Sequence, residues 1–404
     1  LSPLTIVQVC SARTGTYGAV MSLLTLSEGL RDAGHRVVFA TFRGRAFGEE
    51  VRRRGFEVHE VDCGFKVSPR AVLQLARVFR EVRADVVHTH LSTSSVNGAL
   101  AARLARLPSI STVHGISNKW SYWFADRIVA VSDQARSHLI AQGLREARVD
   151  RVYNGVTLPA PARERVAWRH DWGVAESVPV LGTVARLVPA KGVADAIRAF
   201  ATVTRQHPGS IFVVAGDGPE RERLQHLADE LGVGPQVRFL GYVRDVAGCL
   251  SAMDLFLFPS HREAMGIAVV EALAAGLPVV STDVGGLPEV LTPECGVLVP
   301  AHDPGAMADA IRGLLSRQES SGAFSVERAA QFSVATMVGE TIAVYRRDRR
   351  VPAGDRCARS NAPQFMRAVR TKRSKAGARV FSSCFPGILM LSASSRLSFD
   401  FRSM

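Results

Sequence analysis

The sequence predicts an α/β protein of two doubly wound domains facing a cleft, and three observations predict it. Short apolar runs alternate with amphipathic helical stretches from Leu4 to Val299, the pattern of repeated strand–helix units around parallel sheets. One Pro/Ala segment, Thr157–Leu158–Pro159–Ala160–Pro161, interrupts that alternation and reads as a linker. The 404 residues are enough for two sizeable cores. Residues 1–157 are therefore assigned to a first domain, 158–331 to a second, and 351–404 to a basic tail.

Composition narrows the class. An apolar fraction of 47% with 22% charged residues is that of a soluble globular chain. No apolar run reaches the roughly 20 residues that span a bilayer, and the start shows no signal-peptide pattern. A cytoplasmic location is expected, with contact to the inner membrane face as a further expectation. Six scattered cysteines with no CxxC pair fit a reducing compartment and suggest no structural metal. The net charge of +13 is local: residues 36–83 hold eleven Lys/Arg against six Asp/Glu, and residues 351–404 hold ten against two. Those excesses of five and eight account for all of it, so a patch on an anionic membrane surface is one reading and a solvated basic face the other. Nucleic acid is not an expected partner.

In chain order, Leu4–Cys10 reads as a buried strand, followed by a loop with Gly15 and Gly18, a helix over about Ala19–Ala33 closed by Gly34, and a strand Val37–Thr41. This opening is Rossmann-like. It is not a dinucleotide fingerprint, because the second strand ends without the acidic residue that holds a ribose. Ser68–Pro69 caps a helix over Pro69–Arg83, with Val72, Leu75, Ala76, Phe79 and Val82 at core spacing. Strands Asp85–Thr89 and around Val113 run into what read as polar loops, Ser92–Ser95 with Asn97 and His114–Gly115, where a parallel sheet gathers its ligands. His88 and His90 share a strand face. A metal pair is conceivable there, but no Cys or carboxylate is spaced to complete it, and packed histidines are the plainer reading. Ile128–Ser132 is a further strand, and Tyr153–Asn154–Gly155–Val156 a turn before the linker. The second series has strands at Val178–Ala185, Ile211–Ala215, Val237–Leu240, Leu255–Phe258, Val279–Ser281 and Gly296–Val299.

Two groups of residues carry chemistry in the second series. Arg186 and Lys191 follow its first strand in ARLVPAKG; the chain has 45 Arg and five Lys, and Lys191 is alone between Lys119 and Lys372. An isolated Lys beside a Gly suggests a compact point charge, and the pair could bind a diphosphate. Gly216–Asp217–Gly218–Pro219 is a glycine loop that a plain turn would also explain. Further on, Glu263 and Glu271 stand eight residues apart. A helix over Met265–Ala275, stopped by Gly276 and Pro278, puts Glu263 in the preceding loop and Glu271 inside the helix. The amides of Gly266, Ile267 and Ala268 then form a positive helix start. Carboxylates beside such a start suit a ligand with phosphates and hydroxyls, such as a sugar nucleotide. The plain alternative is a surface Glu and a solvated helix Glu.

Taken together, Arg186…Lys191–Gly192, Gly216–Asp217–Gly218–Pro219, Phe239–Leu240–Gly241–Tyr242 and Glu263…Glu271 resemble the retaining glycosyltransferases of family 4. In the first half the Gly15…Gly18 loop, Thr112–Val113–His114–Gly115 and Tyr153–Asn154–Gly155–Val156 match as well, and the resemblance covers about residues 4–348. It implies the GT-B fold, two Rossmann-like domains facing a cleft, with a last helix within 332–350, about Val334–Arg346, returning to the first domain. It also implies that Arg186 and Lys191 hold the donor diphosphate and that Glu271 accepts the ribose hydroxyls. Glu263, with the amides of Gly266 and Ile267, would hold the donor sugar, and His114 would lie near it. The Gly15 loop would approach the phosphate from the first domain, with Gly216, Gly241 and Tyr242 completing the donor site. No metal and no cofactor are expected, since the nucleotide sugar is itself a substrate. The implied reaction is retaining transfer from a UDP- or GDP-linked sugar to a glycan or lipid-linked acceptor, in cell-envelope polysaccharide or lipopolysaccharide synthesis. A non-hydrolysing sugar-nucleotide epimerase and a basic nucleic-acid- or lipid-binding protein are the alternatives.

Overall fold

The structure is a computed structural model and describes residues 2–14, 18–157, 160–316, 322–348 and 350–351. The first series is β1 (Thr5–Cys10), α1 (Gly18–Asp32), β2 (Arg36–Phe42), α2 (Ala46–Arg53), β3 (Glu57–Val61), α3 (Pro69–Glu81), β4 (Val86–His90), α4 (Ser92–Ala105), β5 (Ser109–Val113), β6 (Arg127–Ala130), α5 (Asp133–Ala141) and β7 (Val149–Arg151). Its strands form a seven-stranded sheet in the order β3-β2-β1-β4-β5-β6-β7, each pair parallel. The second series is α6 (Arg165–Asp171), β8 (Val180–Val184), α7 (Val193–Val203), β9 (Ile211–Ala215), α8 (Arg221–Glu230), β10 (Val237–Gly241), α9 (Val246–Ser251), β11 (Leu255–Phe258), α10 (Ile267–Ala274), β12 (Val279–Thr282), α11 (Leu287–Val290), β13 (Gly296–Val299), α12 (Pro304–Leu315), α13 (Gly322–Ala330) and α14 (Val334–Arg346). Its six parallel strands run β10-β9-β8-β11-β12-β13. Both sheets belong to one compact unit, Leu1–Cys357.

The strands form where apolar residues fill both faces. β9, β11 and β12 are buried at every position, as expected for strands covered by helices on both sides. Helix α3 starts where the sequence predicts, with Ser68 Oγ accepting from Ala71 N and Pro69 in its first turn, a cap worth about 1 kcal/mol. Helix α14 completes the first core, not the second. Its Met337, Val338, Ile342, Val344 and Tyr345 pack with Leu23, Leu26, Val86 and Ile110.

The chain crosses between the sheets twice, and the two crossings lie side by side. Val156 bridges Ser333 in parallel, with Val156 N donating to Phe332 O at 2.8 Å. A side chain at Gly155 would sit 2.7 Å from Val334 Cα and 2.9 Å from Ser333 O, so only glycine permits this approach.

Two expectations need correction, and one unit is not expected at all. Ser92–Ser95 and Asn97 are not loop: they are the first turns of α4, where Ser94, Ser95 and Asn97 are buried. Asn97 accepts from Ser68 N and donates to Lys66 O and Thr93 O, which satisfies a polar side chain inside the fold. The unit α2–β3 is an addition that apolar periodicity does not reveal. The described fold also runs to Val351, which is buried in the first core, with Arg350 paired to Asp126 and Asp348. Beyond Val351, the tail expectation falls outside the described residues.

Candidate active site

The loop Pro259–Ala264, between β11 and α10, is held by glycines on both sides. An added Cβ at Gly192 would meet Pro259 O at 1.9 Å, one at Gly285 Glu263 O at 1.7 Å, and one at Gly286 Ala264 O at 2.2 Å. Gly192 and Gly285 also have left-handed φ of 62° and 60°. The sequence needs glycine there to bring Lys191 and Glu263 to one point. Lys191 Nζ forms an ion pair with Glu263 Oε2 and lies over the Phe258 ring, 5.1 Å from its centroid. Glu263 Oε1 accepts from Ala264 N at 3.0 Å. Arg186, at the end of the β8 loop, is exposed.

Gly266 (φ 87°) turns the chain into α10, and Val269 N is the first amide to close on it, at 2.9 Å. The amides at the start of such a helix point outward as donors. Across the cleft, α1 begins at Gly18, whose Cβ position lies 3.9 Å from Ile267 Cδ1. The two helix starts are thus neighbours, and the outward amides of a helix start favour an anion. Gly15 lies outside the described residues. Glu271, one turn into α10, is half-buried, and burial pushes its carboxyl from 4.5 up to about 7. It is no solvated helix Glu.

Gly216 and Gly218 stand in a supporting position. Side chains there would strike Ala185 O at 1.8 Å and Leu187 O at 2.3 Å, and Leu187 N donates to Asp217 O at 2.9 Å. The glycine loop therefore braces the backbone on either side of Arg186. Gly241 (φ 71°) accepts from Gly216 N at 2.8 Å, and Tyr242 beyond it is 67% exposed.

From the first sheet, His114 stands at the end of β5. Its loop meets the Glu263 loop where Arg262 Nη2 donates to Ile116 O at 3.0 Å. Burial lowers its imidazole to about 4, so it is neutral at pH 7. The loop that follows His114 thus borders the loop that carries Glu263, which meets Lys191 ahead of the α10 start.

Sequence reasoning missed Glu289. From α11 its carboxylate accepts from Asp133 N (2.7 Å), Gln134 N (2.8 Å) and Tyr153 Oη (3.0 Å). It caps a helix of the other sheet and ties the two halves together. Burial and this carboxylate push Tyr153 up to about 12. Asp195, His261 and His302 also cluster beside Gly192, their ligand atoms within 4.8 Å of one another. The Asp195 carboxylate already accepts from His261 Nε2 (2.7 Å) and Arg198 (3.1 Å). Arg198 makes that cluster a poor cation site.

Comparison with known proteins bears on the family and the fold. Residues 16–158 match glycosyltransferase family 4, and residues 164–330 match the glycosyl transferases group 1. The D-inositol 3-phosphate glycosyltransferase of Mycobacterium tuberculosis strain F11 is 32% identical over 323 residues, 70% of this chain and 65% of that protein. The protein of the same name from Corynebacterium efficiens is 29% identical over 302 residues, 65% and 71% of the two chains. The chain thus spans about two thirds of the length of these relatives. Among solved structures, Anabaena HepE in complex with UDP superposes with a TM-score of 0.75 at 22% identity, covering 85% of this chain and 100% of that one. WaaG, a glycosyltransferase of lipopolysaccharide biosynthesis, gives 0.64 at 20%, covering 83% and 98%. At such identities these structures bear on the fold alone, and the fold is GT-B.

Proposed function

We infer the reaction from one premise: the chain belongs to the glycosyltransferases, with a family 4 first half and a group 1 second half. We propose that it moves a sugar, with retention, from a UDP-linked donor to a glycan or lipid-linked acceptor of the cell envelope. The observation that carries this is the meeting of Lys191, Glu263 and the start of α10 at one point of the cleft, opposite the start of α1.

In the proposed reaction the diphosphate enters between the helix starts and draws Lys191 away from Glu263. Lys191 and Arg186 then stabilise charge on the leaving diphosphate, a preorganised electrostatic effect. Glu263, released from its ion pair, accepts hydroxyls of the donor sugar, and Glu271 accepts those of the ribose. These cations do the work a metal would do, so we assign a metal-independent transfer that EDTA leaves unchanged.

A second acceptor class has specific support. The curated relatives act, by name, on D-inositol 3-phosphate, which makes a phosphorylated polyol the second candidate acceptor. The test is radiolabel transfer from UDP-glucose and other UDP-sugars to inositol 3-phosphate, to lipid-linked glycan, and with no acceptor. Transfer to either acceptor supports the reading, and it also decides between them. Conversion of the donor with no acceptor present would make the protein an epimerase.

The charge excess over residues 36–83 we assign to an anionic membrane surface. Arg36, Arg43, Arg52, Arg53, Arg54, Arg70 and Arg77 pair with nearby carboxylates, so the contact is expected to be weak. Binding to vesicles containing anionic lipid, and its loss in high salt, tests this. No helix among the described residues is long and apolar enough to cross a membrane.

A further inference from the structure

Beneath the cleft, three adjacent strands of the first sheet carry a chain of buried side chains that donor binding alone does not explain. Gln8 lies on β1, His90 ends β4, and His114 follows β5. Gln8 Oε1 lies 2.8 Å from His90 Nε2, and His90 Nδ1 lies 3.0 Å from His114 Nε2. Gln8 and His90 are fully buried. Beside them His88 joins Tyr345 Oη of α14 and Thr112 Oγ1, each at 2.7 Å. His114 Nδ1 is shielded from solvent and has no hydrogen-bond partner among the described residues.

The proton positions follow from the first link. An amide oxygen only accepts, so with the Gln8 oxygen facing it His90 Nε2 carries the hydrogen; the same orientation leaves Gln8 Nε2 buried without a hydrogen-bond partner among the described residues. A neutral imidazole carries one hydrogen, which leaves His90 Nδ1 as an acceptor. His114 Nε2 must then donate to it, and His114 Nδ1 is left bare. Burial holds both rings neutral, His90 well below 6.5 and His114 at about 4, so neither gains a second proton near neutral pH. A buried acceptor with no partner is expensive to keep, and the group that relieves it must be a donor.

We propose that Gln8 and His90 are positioning residues that fix His114 in its Nε2–H form, so that Nδ1 accepts a hydrogen bond from a hydroxyl of the transferred sugar. The identity of that donor rests on the transferase reading; the tautomer does not. The arrangement selects sugars that present a hydroxyl at this point and discriminates against the corresponding deoxy sugar, because a missing donor leaves the nitrogen unpaired.

The test is nitrogen-15 NMR of the full chain labelled at histidine, with the His114 signals assigned through His114→Gln. Neutral His114 with hydrogen on Nε2 from pH 6 to 8, and an Nδ1 resonance that moves toward the hydrogen-bonded position when UDP-glucose is added, is the expected result. Hydrogen on Nδ1, the form that a reversed Gln8 amide would enforce, overturns the assignment. Gln8→Leu, checked for folding by its melting curve, should mix the two tautomers and lower kcat/KM about tenfold, the size of one hydrogen bond, with UDP affinity unchanged. An unaltered tautomer and kcat/KM in that variant would also overturn it. An enzyme that transfers sugar while His114 Nδ1 stays unmoved by the donor refutes the sugar contact. The expected tautomer in a protein that transfers from no nucleotide sugar refutes the transferase reading, and with it the assigned ligand.

Discussion

Glu271 gives the sharpest test of the donor site, because its environment sets a sign as well as a size. Burial raises its carboxyl from 4.5 to about 7 in the folded protein. Between those values the folded chain holds a proton that the unfolded chain has released, so this group's contribution to stability falls as pH rises from about 4.5 to 7. The full difference corresponds to about 3 kcal/mol. Glu271→Gln keeps the shape and removes the titration. Urea unfolding at pH 5 and pH 8 should therefore show the wild type losing up to about 3 kcal/mol more than the variant. Ligand binding runs the other way. The ionised carboxylate accepts from both ribose hydroxyls and more strongly, whereas the protonated form turns one oxygen into a donor, so binding favours release of the proton and strengthens with pH. At pH 6 about a tenth of the groups are ionised, which lowers the affinity there by up to roughly tenfold from its high-pH limit. UDP-glucose is the right probe, since its diphosphate diester does not titrate in this range. Calorimetry in buffers of different ionisation heat reads the released proton directly. Parallel pH profiles for wild type and Glu271→Gln, in both unfolding and binding, would refute burial as the cause and ribose as the partner.

Glu263→Ala is expected to reduce turnover while leaving UDP affinity intact, whereas Glu271→Ala weakens UDP; equal loss of UDP binding in both would remove the division of roles. Lys191→Ala should slow transfer by about a hundredfold or more without changing nucleoside binding, as single-turnover kinetics and calorimetry can measure. Glu289→Ala removes the cap that α11 places on α5, at about 1–2 kcal/mol, and should raise hydrogen exchange in residues 133–141 first; unchanged exchange there would show that the tie carries no stability. Removal of residues 352–404 should leave the melting temperature and transfer to a soluble acceptor nearly unchanged, because the first core already closes at Val351; lost transfer would place the tail in the working protein.

What could be read from the sequence followed a single physical rule. Strands buried on both faces announce themselves, so β9 and β11 coincide with the expected bounds; α14, expected from the family resemblance, keeps its bounds behind its Ser333 cap. The α2–β3 unit does not, since α2 buries only Phe47, Gly48 and Val51 and exposes much of its charge. Ser92–Asn97 misled in the opposite way. A run of Ser, Thr and Asn has the composition of a loop, and only the partners supplied by Lys66 and Ser68 allow it to be a buried helix start. For the site, Glu263 and Lys191 could be picked out individually, but not their ion pair, which depends on glycines from two separate loops, Gly192 and Gly285–Gly286.

Partners distant in sequence explain the rest. Glu289 stands in an unremarkable Leu–Pro–Glu–Val turn, and its role exists only because Asp133 and Gln134 present free amides from the other half of the chain. Charge behaves likewise. Counting residues 36–83 gives an excess of five positive charges, yet Arg36 meets Glu57 and Arg43 meets Asp62 across neighbouring strands, and Arg54 reaches Glu28 outside the window altogether. A count along the chain sets the long-range field, which salt screens beyond about 10 Å. It does not say which cations are free to meet a ligand at close range. In the cleft the same reasoning applies with the opposite result. Lys191 and Glu263 neutralise each other there, and a diphosphate bearing a sugar offers each of them a partner of the chemistry it lacks.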